Sequence, residues 1–261
     1  MGSSVWIDGR QTARRGIGGP RRKKPVDAQV KKRADDLHAM GMPFQMAMAV
    51  AHGKLDLNEA LERMAQKDRV QKLMRDHDLS RALATQVAMG HADLDQVLAR
   101  RRLQQHREAH RDRTCLVEGA EITLGLCGRG AVTGVVRAVE AYSFVFQEAG
   151  GEPAEMHKLQ AKFAYAPQAW KVVRKALRVD KRAASHAREP ALRPQDRYSC
   201  SDKRLFGYMD RRVEVVATTL DGDVLRGQVA WFSRYEFALA LKPGAEIVLF
   251  RHALRDLSPA D

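Results

Sequence analysis

Hydrophobic positions along the chain change period near residue 114. Between residues 34 and 112 they recur every three to four residues, the spacing of a helix with one covered face. From about residue 114 the period falls to two. Ile122, Leu124 and Leu126 alternate with Glu121, Thr123 and Gly125, as in a strand covered on one side. Gly128-Arg129-Gly130 marks a turn, and Ala131 to Phe146 carries two further strands. Residues 181–200 lose both periods and read as a linker rich in Arg, Pro and Ala. Beyond it, Ser201 can cap a short helix with Leu205, Phe206 and Met209 on its apolar face. Val213-Glu214-Val215 then opens a second strand-rich module, with Asp221-Gly222 as a hairpin turn.

The helical stretch contains an internal repeat of 37 residues. Val50-Ala51-His52-Gly53-Lys54-Leu55-Asp56-Leu57-Asn58-Glu59-Ala60-Leu61 recurs as Val87-Ala88-Met89-Gly90-His91-Ala92-Asp93-Leu94-Asp95-Gln96-Val97-Leu98. That period is the scale of a helix–turn–helix unit. Gly53 and Gly90 stand where a helix ends in a left-handed residue. Asp56 and Asp93 cap the helix that follows, and Glu59 and Gln96 are spaced to close a capping box. Capping accounts for Asp56 and Glu59 without acid–base chemistry, and His52, His77 and His91 lack any carboxylate–His spacing of metal-ligand type.

Charge changes the picture more than composition does. The 261 residues hold 45 Lys and Arg against 32 Asp and Glu, a formal net charge of +13. Such an excess calls for a polyanionic partner, nucleic acid or an anionic membrane surface. A membrane is disfavoured, because no apolar run approaches the roughly 18–20 residues a spanning helix needs and the amino terminus lacks the apolar core of a signal peptide. Residues 1–33 carry ten Lys and Arg against two Asp, interrupted by Gly16-Ile17-Gly18-Gly19-Pro20, and read as a disordered basic arm. Cys115, Cys127 and Cys200 form no C-x-x-C pair, so neither a zinc site nor a disulfide framework is expected, and the compartment expected is the cytoplasm. No nucleophile–base pair stands at a recognisable spacing. The chain is expected to be no enzyme, and no cofactor or metal is expected.

The second strand-rich module resembles a known family. Leu225-Arg226-Gly227-Gln228-Val229-Ala230-Trp231-Phe232-Ser233-Arg234-Tyr235 is similar to the first signature of the Hfq-like branch of the Sm-like RNA-binding proteins. Leu249-Phe250-Arg251-His252-Ala253-Leu254 is similar to its second signature. Ser233 stands where the family has an acidic residue, and Thr218 where it has an aromatic on the face that binds A-rich RNA. The first module resembles the same plan more loosely. Val132-Thr133-Gly134-Val135-Val136-Arg137-Ala138-Val139-Glu140-Ala141-Tyr142 takes the first signature and Val172-Val173-Arg174-Lys175-Ala176-Leu177 the second, leaving 148–169 as an insertion.

The resemblance implies an α+β multidomain chain. A helical hairpin-repeat domain at 34–112 would precede two small five-stranded antiparallel barrels, at 114–180 and 201–259, joined by the 181–200 linker. It also implies single-stranded RNA as ligand, small or messenger, and a role as RNA chaperone or post-transcriptional regulator. Tyr235, Arg251 and His252 would form the site of one module, with Gln228 near that face and Arg212 on the lateral rim. Tyr142, Arg174 and Lys175 would form the site of the other. An aromatic ring stacks an unpaired base, and the cations bind phosphate or base edges. Three copies of the tandem chain would close a pseudo-hexameric ring. Two other classes stay open: a scaffold whose helical domain binds a protein partner, and a DNA-associated regulator with helix–turn–helix elements.

Overall fold

A computed structural model describes residues 27–260. Most of the basic arm expected at 1–33 lies outside the described residues. Its last part is helical, because the Asp27 carboxylate accepts from the Gln29 backbone N–H and starts a helix at Ala28. The chain divides into two compact units, Met1–Asp93 and Leu94–Asp261.

Within the described residues the first unit holds α1 (Ala28–Ala39), α2 (Phe44–Ala51), α3 (Leu57–His77) and α4 (Arg81–Ala88). Gly53 and Gly90 have φ of +67° and +74°, the left-handed ends that the repeat predicts. Asp56 caps α3 through Asn58 and Glu59 N–H, whereas the Glu59 side chain pairs with Arg63 instead of closing the box. The apolar face packs into a small core of Ala34, Leu37, Met42, Ala47, Val50 and Ala60.

The second unit opens with α5 (Leu94–Ala109), so the last helix of the repeat belongs with the strands. Then follow β1 (Glu121–Leu126), β2 (Ala131–Val139), β3 (Ser143–Glu148), β4 (Pro153–His157) and β5 (Ala161–Tyr165). Next come α6 (Trp170–Ala176), β6 (Arg178–Val179), α7 (Lys181–Ala184) and α8 (Asp202–Asp210). The chain ends on β7 (Glu214–Thr219), β8 (Asp223–Phe232), β9 (Glu236–Leu241), β10 (Ala245–Phe250) and β11 (Leu254–Pro259). Short 3-10 turns, Lys158–Gln160 and Arg251–Ala253, link β4 to β5 and β10 to β11.

These strands build one open eleven-stranded antiparallel sheet in the order β11-β7-β8-β9-β10-β5-β1-β2-β3-β4, with β6 added on β8. The expectation of two separate closed barrels is therefore wrong. A barrel closes when its own first and last strands pair. Here β10, the outer strand of one half, pairs with β5, the outer strand of the other, through Val248↔Ala164 and Leu249↔Phe163. Hydrogen bonding thus runs from half to half, and the cores are shared too. Phe163 lies in the core of the second half and Phe250 in that of the first.

The halves are nonetheless copies at a constant offset of 93 residues. Gly134 and Gly227 oppose the same positions of β1 and β7, and the bulge after Val136 recurs after Val229. Both glycines are required by close approach. A Cβ at Gly227 would lie 2.7 Å from the Ala240 carbonyl oxygen, and one at Gly134 would meet that of Gln147.

Two polar contacts fasten the joint. His252 Nε2 donates to the Ala161 carbonyl (2.9 Å), and Lys162, itself buried, donates to Asp221 (2.6 Å) and Asp223 (2.5 Å). The segment read as an insertion, 148–169, supplies β4 and β5. The segment read as the linker, 181–200, carries α7 and a 3-10 turn at Pro194–Asp196.

Candidate nucleic-acid interface

The tight turn between β8 and β9 presents Arg234 and Tyr235. Ser233 N–H closes it on the Glu236 carbonyl (2.8 Å), which leaves the Tyr235 ring 61% exposed. Its backbone is tied to the next motif, since Arg251 N–H donates to the Tyr235 carbonyl (2.9 Å). Phe232 lies in the core beneath, as a residue facing inward before an outward turn should.

Arg251 extends from its 3-10 turn over the Phe232 ring, 5.7 Å from the centroid. Nη1 donates to Asp202 (2.8 Å) and to the Cys200 carbonyl (3.1 Å), and Nη2 donates to the Ser233 carbonyl. Nε is buried without a partner. Asp202 also binds Arg107 of α5 (2.7 Å). The result is a cleft of about 570 Å³ lined by Tyr235, Arg251, Arg234, Arg107, Arg111 and Asp202, with Asp112 as its second carboxylate. Four guanidinium groups face two carboxylates, and Arg111 and Arg234 have no ion-pair partner among the described residues. The cleft therefore has a positive surplus beside an exposed ring.

Helix α5 is held there by aromatic and polar contacts. The His106 ring packs 4.2 Å from Phe232 and 4.2 Å from His110, and its Nε2 lies 3.2 Å from both Phe232 N and O. Burial, together with the neighbouring His110, holds His106 below its ordinary pKa. The buried Glu236 carboxylate accepts from Thr114 Oγ1 (2.6 Å) and Cys115 N–H (2.8 Å), pinning the segment after α5 to the same turn. Burial raises the Glu236 pKa despite those hydrogen bonds.

The 93-residue offset locates the counterpart in the first half. Tyr142 matches Tyr235, and its carbonyl accepts from Lys158 N–H (2.9 Å), as that of Tyr235 does from Arg251. The Lys158 ammonium reaches the Glu140 carbonyl, as Arg251 reaches that of Ser233. Tyr142 is 77% exposed. Because β10 and β5 pair with the end of one beside the start of the other, both 3-10 turns lie on the same end of the sheet.

Several expected site residues lie elsewhere. Arg174 and Lys175 are not at the end of a strand: Val172–Ala176 are in α6, and Arg174 lies over Trp170, 5.9 Å from its centroid. The cation that takes their place is Lys158. His252 is 8% exposed and faces the joint, with burial pushing its pKa down to about 4. Gln228 of β8 donates to the carbonyl (3.2 Å) of Arg212, which lies just past the carboxyl end of α8. Nine residues of helix span about 13 Å at the usual rise, so this pair is separated from Arg251, which binds the amino end. Arg107, Arg111 and Asp202 belong to the cleft and carry no motif of their own. Among the described residues no group of three His, Cys, Asp or Glu is placed to hold a metal, and no helix is long and apolar enough to cross a membrane. Comparison with protein-family models and with curated proteins gives no match for this chain.

Proposed function

We propose that the chain binds single-stranded RNA along the end of the sheet that carries the two 3-10 turns, in the manner its resemblance to Hfq-like proteins implies. It would serve in the cytoplasm as an RNA chaperone or post-transcriptional regulator, without covalent chemistry. The observation that carries the reading is the cleft in which exposed Tyr235 stands among Arg251, Arg234, Arg107 and Arg111. An exposed ring stacks an unpaired base, worth roughly 1–3 kcal/mol, and a cationic wall, including Arg234 at 5.2 Å from the Tyr235 centroid, follows the backbone. The Tyr142–Lys158 pair offers a second, weaker position at the same end. The net charge of +13 supplies long-range attraction.

The test is titration of a fluorescently labelled, unstructured RNA oligonucleotide with the wild-type chain and with Tyr235→Ala and Tyr142→Ala. Each loss of a stacking ring should weaken binding, Tyr235→Ala by about tenfold or more, with the fold retained by circular dichroism. Wild-type affinity unaffected by both changes would reject the site.

A scaffold reading has one observation in its favour. Met40, Phe44, Leu61 and Met89 of the first unit are exposed apolar side chains, of the kind that a protein partner covers. A chain that binds no RNA at low salt would favour it.

A further inference from the structure

Along its main path the strand order leaves an edge at each end, β4 at one and β11 at the other, with the two-residue β6 added on β8. The internal duplication says what each edge is. In β5, Ala164 opposes Leu124 of β1 on one side and Val248 of β10 on the other. In β11, Leu257 opposes Ala217 of β7 and so holds the place of Ala164. On the outer side of Leu257 a strand equivalent to β10 would pair. That strand is β4, where Glu155 and Met156 face Val145 and Phe144 as Val248 and Leu249 face Ala238 and Phe237. A second copy laid head to tail would repeat between chains the joint that exists within one.

That outer side is already taken. Leu257 N–H donates to the Tyr198 hydroxyl (3.0 Å), and the same hydroxyl lies 3.1 Å from the Leu257 carbonyl oxygen. The Leu257 carbonyl also accepts from Arg204, which donates in addition to the Tyr198 hydroxyl (2.7 Å) and the Tyr208 hydroxyl (3.0 Å). Two residues on, Pro259 has no N–H to offer. Side chains and a proline thus consume the donors and acceptors on which an added strand depends.

We propose that Tyr198 and Arg204 form an edge cap that closes β11 against the β4 edge of a second copy, and that displacing it lets chains join head to tail. Tyr198 sits on the segment leading into α8 and Arg204 in the first turn of that helix, so anything that pulls this part of the chain off β11 exposes the pairing edge. A ring of three chains, which the family resemblance implies, needs the cap displaced at every joint. The inference rests on the strand register and on the hydrogen bonds of Tyr198 and Arg204, and stands whether or not the cleft binds RNA.

Light scattering of the full chain tests it, over a range of concentrations, for wild type, Tyr198→Phe, Arg204→Met and the double variant. Wild type is expected at the mass of one chain. The double variant should rise towards two chains and beyond with concentration, and Glu155→Pro added in β4 should return it to one. A folded double variant that stays at one chain overturns the cap. So does association that Glu155→Pro leaves in place, or a wild type that already joins through these edges. Tyr198→Phe, which removes a single oxygen, decides the matter if the double variant does not fold. Faster hydrogen exchange of the Leu257 amide with a concentration-dependent mass supports the cap, and an unchanged mass overturns it.

Discussion

At the scale of single residues, identical-looking motif positions have been put to different uses by burial. Arg251 and His252 are neighbours in one signature, yet Arg251 lines the cleft and His252 is locked into the joint. The consequence for His252 is a pH dependence of stability. Its folded pKa of about 4 lies below the ordinary histidine value of 6.5, so the unfolded chain binds the proton more readily. Stability from this group is full above about pH 6.5 and is lost as pH falls towards 4, by on the order of 2–4 kcal/mol. Urea unfolding at pH 7.5 and pH 4.5 should show that loss, and His252→Gln should reduce it. The cations in the cleft divide similarly. Arg251 is committed to Asp202 and two carbonyls, whereas Arg111 and Arg234 have no ion-pair partner among the described residues, Arg234 lying over the Tyr235 ring instead, 5.2 Å from its centroid. Arg111→Ala with Arg234→Ala is therefore expected to weaken RNA binding and flatten its salt dependence by about 1.4 log units per log unit of salt, without loss of melting temperature.

At the scale of elements, the contacts that matter run between segments distant in sequence. Lys162 of β5 is paired with Asp221 in the turn before β8 and with Asp223 at its start, and these hydrogen bonds outweigh the burial that would lower its pKa. Removing one member of a buried ion pair strands the rest, so Lys162→Ala should destabilise the second unit by about 3 kcal/mol or more in urea. Gly227→Ala should also destabilise it, because the Ala240 carbonyl would have to move. Element register explains the misassigned basic pair as well. Val172-Val173-Arg174-Lys175 imitates the second signature in composition, but Pro167 precedes it and a helix forms. The spacing between Gly227 and Arg251 equals that between Gly134 and Lys158. That constancy was legible in the sequence and identifies the position that composition alone obscured.

At the scale of the whole molecule, charge is the property expected to govern RNA affinity. A chain whose cleft and net charge are cationic should bind RNA with an affinity that drops steeply between about 50 and 200 mM salt, since counterions released on binding oppose it. Filter binding at those two concentrations checks this, and a flat response would contradict an electrostatic interface. Architecture was harder to read. Hydrophobic period, glycine ends and capping residues are local, and they determined where helices give way to strands and where α2 ends and α3 begins. Strand partners are not local. An edge strand offers the same hydrogen-bonding groups to its own half or to another, and alternation along the strand does not distinguish them. Only the tertiary structure decided that β10 joins β5 in one open sheet, that α5 brings Arg107 and Arg111 to Tyr235, and that His252 is buried, because each depends on which surfaces meet after the chain has turned back on itself.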